Sequence, residues 1–138
     1  MTTEIANALT AADLGQSTAV SIGGDAIVGS TYAELMPLFE ADPDTQAIVI
    51  YSEPGGPMEA QLAKYVKETK SRLPIVAFMA GRFMDEMPGM RFGHAGTIVE
   101  GKADTTADKI ERMKAAGISV AERIEDIPAM VKERLEGH

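Results

Sequence analysis

The chain of 138 residues contains no cysteine. That removes a disulfide framework, a thiolate nucleophile and a thiolate metal site. It has two histidines, one of which, His138, ends the chain, so a histidine-based metal cluster is not expected. Positive charge is in the minority: 13 Lys and Arg stand against 21 Asp and Glu, a formal net of −8. Nucleic acid and anionic membrane both demand a basic face, and neither is expected as a partner. No apolar run approaches the roughly 18–20 residues of a membrane span. The stretch Met1-Thr2-Thr3-Glu4 lacks the basic and apolar regions of a secretory signal. Together these absences fit a cytoplasmic protein. The sequence shows no internal repeat, low-complexity tract or interdomain linker, and at this length and 45% hydrophobic content one compact domain over 1–138 is expected.

What is present alternates between helical and strand-like patterns. Thr3 to Ala12 reads as a helix with Ile5, Leu9 and Ala12 on one face. Thr18 to Ile22 reads as a short strand closed by Gly23-Gly24-Asp25. Thr31 and Glu34 form a capping-box pattern ahead of Leu35, Leu38 and Phe39, with Pro37 predicting a kink or a later start. Residues 47–52 are apolar without interruption, which predicts a strand buried on both faces. Pro57 opens a helix carrying Met58, Leu62, Tyr65 and Val66. Pro74 to Gly81 is a further buried strand. Thr105 to Ala116 is a helix with Ile110 and Met113 inward and Gly117 as its stop. Ile118 to Ala121 is a last strand, and Asp126 caps a terminal helix bearing Ile127, Met130, Val131 and Leu135. Such alternation implies parallel strands with helices on both faces, a three-layer α/β sandwich. The basic stretch Lys67, Lys70 and Arg72 reads as a solvated helix end. The nine methionines read as core filling or a protein interface.

The chemistry should lie beyond the carboxyl ends of the strands. Gly23-Gly24-Asp25, Glu53-Pro54-Gly55-Gly56 and the long segment Arg82 to Gly101 all follow predicted strands, which puts them on one edge. Asp25 is best read as a turn residue bonding its own backbone. The long segment has no clear periodicity, as functional loops often do, and it carries His94. Imidazole carries charge or a transferred group near neutral pH, and a carboxylate such as Glu53 can fix its orientation. Gly93, Ala95 and Gly96 are small enough to let a phosphoryl group on the ring sit against backbone amides.

Four motifs, Gly15-Gln16-Ser17-Thr18, Ile22-Gly23-Gly24-Asp25, Glu53-x-Gly55-Gly56 and Gly93-His94-Ala95-Gly96, resemble in order and spacing the ligase domain of the succinyl-CoA synthetase α subunit. The same family includes malate–CoA ligase, ATP-citrate lyase and ADP-forming acyl-CoA synthetases. The resemblance implies a flavodoxin-like α/β/α sandwich with a mainly parallel sheet. It implies His94 as a phosphohistidine, Glu53 as the carboxylate that positions it, and Gly93, Ala95 and Gly96 as the phosphate lining, with no metal held by this chain. Covalent transfer through His94 would split a difficult step into two. Compared with family α subunits, the chain starts inside the helix that follows the CoA-binding domain. The expectation is therefore a single ligase domain without its first strand, lacking the CoA-binding and ATP-grasp domains. No cofactor is expected on this chain alone. CoA, ATP or GTP, and Mg²⁺ are implied for a complete, oligomeric enzyme acting on a small carboxylic acid. Succinate-type members carry a basic, Ala-Pro-containing loop before the histidine, where this chain has Arg82 to Met90, which suggests a divergent member. The alternative from another class is a non-catalytic truncated paralogue serving assembly or regulation. A receiver domain and a dinucleotide domain are disfavoured, because clustered strand-end aspartates and a Gly-x-Gly-x-x-Gly fingerprint are both missing.

Overall fold

The computed structural model describes residues 1–82 and 105–137. Helix α1 spans Thr2–Ala11, α2 Tyr32–Ala41, β1 Ile48–Ser52, α3 Met58–Thr69, β2 Ile75–Met79, α4 Thr106–Ala115, β3 Ser119–Ala121 and α5 Ile127–Glu136, the last preceded by a 3-10 turn at Ile124–Asp126. The three strands form an open parallel sheet in the order β1-β2-β3. Ile48 faces Ile75 and Ser52 faces Met79 in one ladder, and Val76 faces Ser119 in the other. Consecutive parallel strands require a crossover, and α3 and α4 supply the two.

The sheet separates two apolar clusters. On one face Met36 of α2, Leu62 of α3 and Met113 of α4 pack on Ile48, Ile50, Ala77 and Val120. On the other, Ile5 and Leu9 of α1 and Ile127 and Val131 of α5 pack on Val76 and Ala121. The α/β/α sandwich with a parallel sheet is therefore present as expected. Met36, Met79 and Met113 are almost fully buried, which fits the reading of methionine as core filling. The central strand β2 is buried nearly throughout. In β1, by contrast, Ile48, Ile50 and Ser52 are buried while Val49 and Tyr51 are only half-buried. Two-sided burial thus applies to β2 and only in part to β1, which among the described residues pairs with a strand on one side only.

Local signals explain most boundaries. The Thr31 hydroxyl accepts from the Glu34 amide, and the Glu34 carboxylate accepts in return from the Thr31 amide at 2.8 Å. This capping box starts α2 at Tyr32, so Pro37 does not delay the helix but lies inside it. Gly117 ends α4 with φ +85, a conformation that a side chain disfavours.

Three expectations need correction. Thr18 to Ile22 is no strand: these residues pair with no other strand and are mostly exposed. Apolar alternation makes a strand only where a neighbouring edge accepts its backbone, and among the described residues none does. On α2, Leu38 is 67% exposed and Met36 takes the buried position. Asp126 does not cap α5 through its side chain. The 3-10 turn already places its backbone in the helical region, and its carboxylate turns back to Arg123 at 3.0 Å. Arg72 is not part of a solvated helix end. Its guanidinium donates to the carbonyls of Phe39, Glu40, Asp42 and Thr45 and pairs with the Glu40 carboxylate at 3.4 Å. It satisfies the carbonyls that the end of α2 leaves open.

Candidate functional site

The site grows from the carboxyl end of β1. Past Ser52 the chain runs through Glu53 and Pro54 into Gly55 and Gly56, whose φ values are +85 and +70. Two successive left-handed residues make a turn that favours glycine at both positions. A Cβ built on Gly56 would meet nothing within 4 Å, so strain rather than crowding selects glycine there. Pro57 then caps α3, whose first-turn amides are free of intrahelical partners. Glu53 is half-buried.

Tyr32, the first residue of α2, reaches this strand end. Its hydroxyl donates to the Tyr51 carbonyl at 2.9 Å and lies 3.3 Å from the Ser52 hydroxyl. Burial pushes its phenol up to about 12, opposed by the Ser52 hydrogen bond and reinforced by the charges of Glu59 and Glu53. Tyr32 is therefore a neutral donor at physiological pH. Burial also raises Tyr51, with Glu53 and Glu4 adding to the effect.

Beneath the turn lies a buried ion pair. Lys109 of α4 is 1% exposed, and its Nζ donates to the Gly55 carbonyl at 2.5 Å, the Gly56 carbonyl at 2.8 Å and Glu59 Oε2 at 2.9 Å. The three protons of the ammonium are thereby all used. Neither Lys109, Glu59 nor Tyr32 stood out from the sequence. Lys109 lies one residue before the inward Ile110, and Glu59 lies one residue after Met58. A charged residue at a helical position adjoining the apolar stripe was the available signal.

The turn is part of the lining of a groove of about 800 Å³. Val49 and Tyr51 of β1, Ile5 and Leu9 of α1, and the extended stretch Thr18 to Ile22 line it, and Gly23-Gly24-Asp25 borders it as well. Two of the three segments expected at one edge therefore meet around a common groove, although the first of them does not follow a strand. His94, Gly93, Ala95 and Gly96 lie outside the described residues. Among the described residues no cluster of three or more His, Asp or Glu is placed to hold a metal, and no helix is long and apolar enough to cross a membrane.

An open parallel α/β sheet with a glycine turn and a carboxylate beyond a strand end defines a class of protein that handles ligands at that edge. The family model described as CoA-ligase matches residues 1–119, and the chain belongs to that family. It is 42% identical over 135 residues to an ADP-forming sulfoacetate–CoA ligase subunit of Bilophila wadsworthia, covering 98% of this chain and 45% of that protein. It is 40% identical over 136 residues to succinate–CoA ligase [ADP-forming] subunit alpha 1 of Archaeoglobus fulgidus, covering 99% and 45%. The malate–CoA ligase subunit alpha of Methylorubrum extorquens is 43% identical over 108 residues, covering 78% and 36%. Among solved structures, Methanosaeta concilii ATP citrate lyase in complex with (3S)-citryl-CoA superposes with a TM-score of 0.88 at 27% identity, over 99% of this chain and 22% of that one. The chain thus spans about half the length of the first two relatives.

Proposed function

We propose that this chain is the phosphohistidine-carrying part of a carboxylate–CoA ligase, with His94 relaying the phosphoryl group. In the ligase direction, a ring nitrogen of His94 attacks the γ-phosphorus of a nucleoside triphosphate. The bond from that phosphorus to the β–γ bridging oxygen breaks and the diphosphate leaves. The substrate carboxylate oxygen then attacks the phosphorus, freeing His94 and forming an acyl phosphate. The CoA thiolate attacks the acyl carbon and displaces inorganic phosphate. The net reaction joins acid and CoA at the expense of one nucleoside triphosphate, and the covalent relay divides it into accessible steps.

Glu53 orients the His94 ring and stabilises its cationic form. Gly93, Ala95 and Gly96 line the phosphate, and backbone amides at the β1–α3 turn are of the kind that receive phosphoryl oxygens. The single observation that carries this reading is the position of Glu53 and the Gly55-Gly56 turn, in a chain of the CoA-ligase family, at the strand end where α3 begins. The remaining parts, a CoA-binding domain and an ATP-grasp subunit that holds nucleotide and Mg²⁺, belong to partner domains or chains. The outer edge of β1, which pairs with no strand among the described residues, and the groove beside it support that division, since such an edge favours association.

In the assembled enzyme, γ-labelled nucleotide should leave an acid-labile, alkali-stable phosphate on this chain. The Glu53→Ala variant should acquire that label 10²- to 10⁴-fold more slowly, on the order expected for a group that assists proton and charge handling. Unchanged rapid-quench kinetics would reduce Glu53 to a structural role. A wild-type chain that takes up no phosphate would favour an assembly or regulatory module.

A further inference from the structure

We infer that Lys109 is a positioning residue, fixing the Gly55-Gly56 turn and thereby the backbone that the site presents. This rests on the function proposed above for its catalytic consequence, but not for its structural part.

The geometry is unusual for an ion pair whose only task is to hold two helices together. A lysine and glutamate removed from water interact at a net cost unless further hydrogen bonds satisfy them. Here the two additional acceptors are the carbonyls of Gly55 and Gly56, more than fifty residues away in sequence. Lys109 and Glu59 are 1% and 2% exposed, so solvent does not compete for either. With no cis peptide bond in the described chain, a carbonyl and the amide of the same peptide unit point in opposite directions. Drawing the Gly55 carbonyl onto the ammonium therefore turns the Gly56 N–H away from it. Gly56 precedes Pro57, which has no N–H, so the Gly56 amide is the last donor before the helix.

A double glycine in the left-handed region has many alternative conformations, and nothing in its own sequence selects one. Lys109 supplies that selection from α4. Glu59, on the first turn of α3, compensates the buried charge and ties the helix start to the same ammonium. The turn, the helix entrance and α4 are thus joined at one atom.

The test replaces both partners, Lys109→Met with Glu59→Met, so that no unpaired charge is left buried and the fold is retained. Thermal unfolding of the isolated chain confirms folding, and the amide resonances of Gly55 and Gly56 report the turn. Labelling in the assembled enzyme reports the site. The expected result is a folded variant with displaced Gly55 and Gly56 resonances and phosphoryl uptake slowed about 10- to 100-fold, as for a misplacement of about 1 Å. The KM for nucleotide should stay unchanged, since the partner binds it. Resonances that do not move overturn the inference. Displaced resonances with wild-type uptake overturn the catalytic consequence, leaving Lys109 as a residue that sets the turn without serving phosphoryl transfer. If the wild-type chain itself takes no label, the phosphoryl reading fails, and the resonances alone decide whether Lys109 sets the turn.

Discussion

Two glycine turns border the same groove and are held by different means. Gly55-Gly56 is fastened from below by a buried lysine and leads directly into a helix. Gly23-Gly24 lies in the irregular stretch between α1 and α2, which is tied by side-chain bonds such as Thr2 to Ser21 at 2.9 Å and Ser17 to Thr45 at 3.1 Å. The first turn belongs to the closed flank of the molecule, where α2, α3 and α4 cover the sheet. The second belongs to the open flank, lining the groove beside β1, whose outer edge pairs with no strand among the described residues. Similar sequence motifs therefore have different structural standing. A glycine pair is fixed only when neighbouring elements select one of its many conformations.

The comparison can be broken by substitution. The largest loss should come from the closed flank: Leu62→Ala removes a side chain that is 0% exposed. About 2–5 kcal/mol of unfolding free energy should disappear in denaturant titrations of the isolated chain. Arg72→Ala should cost less, about 1–2 kcal/mol, because its bonds to the end of α2 are partly solvated. Its effect should be seen as earlier hydrogen exchange at the C-terminus of α2. Val20→Ala, in the extended wall of the groove, should change stability of the isolated chain by less than about 0.5 kcal/mol. A loss as large as that at Leu62 would show the open flank to be packed after all.

Much of the fold was legible in the sequence because its signals are local. The capping box at Thr31, the proline at the start of α3 and the glycine after α4 each fix a boundary through neighbours within a few residues. Strand β2 was legible because two-sided burial leaves an unbroken apolar run. Thr18 to Ile22 was misread because pairing depends on a neighbouring edge, which its own residues do not encode. Arg72 and Lys109 were missed for a related reason. A basic residue near a helix end normally faces water, and only the tertiary arrangement reveals backbone carbonyls converging on it. Within the candidate site, Glu53 and its glycines were visible as a motif after an apolar strand. Tyr32, which donates across to the end of that strand, was not, since the contact joins positions nineteen residues apart.

The phosphoryl-relay account rests most heavily on His94, and the site of covalent labelling tests it directly. The chain, assembled with its nucleotide-binding and CoA-binding partners, is incubated with γ-labelled ATP, quenched in alkali and digested for peptide mapping. The account predicts phosphate on the peptide containing His94, and its loss in a folded His94→Ala variant. Label that persists undiminished in that variant would contradict it.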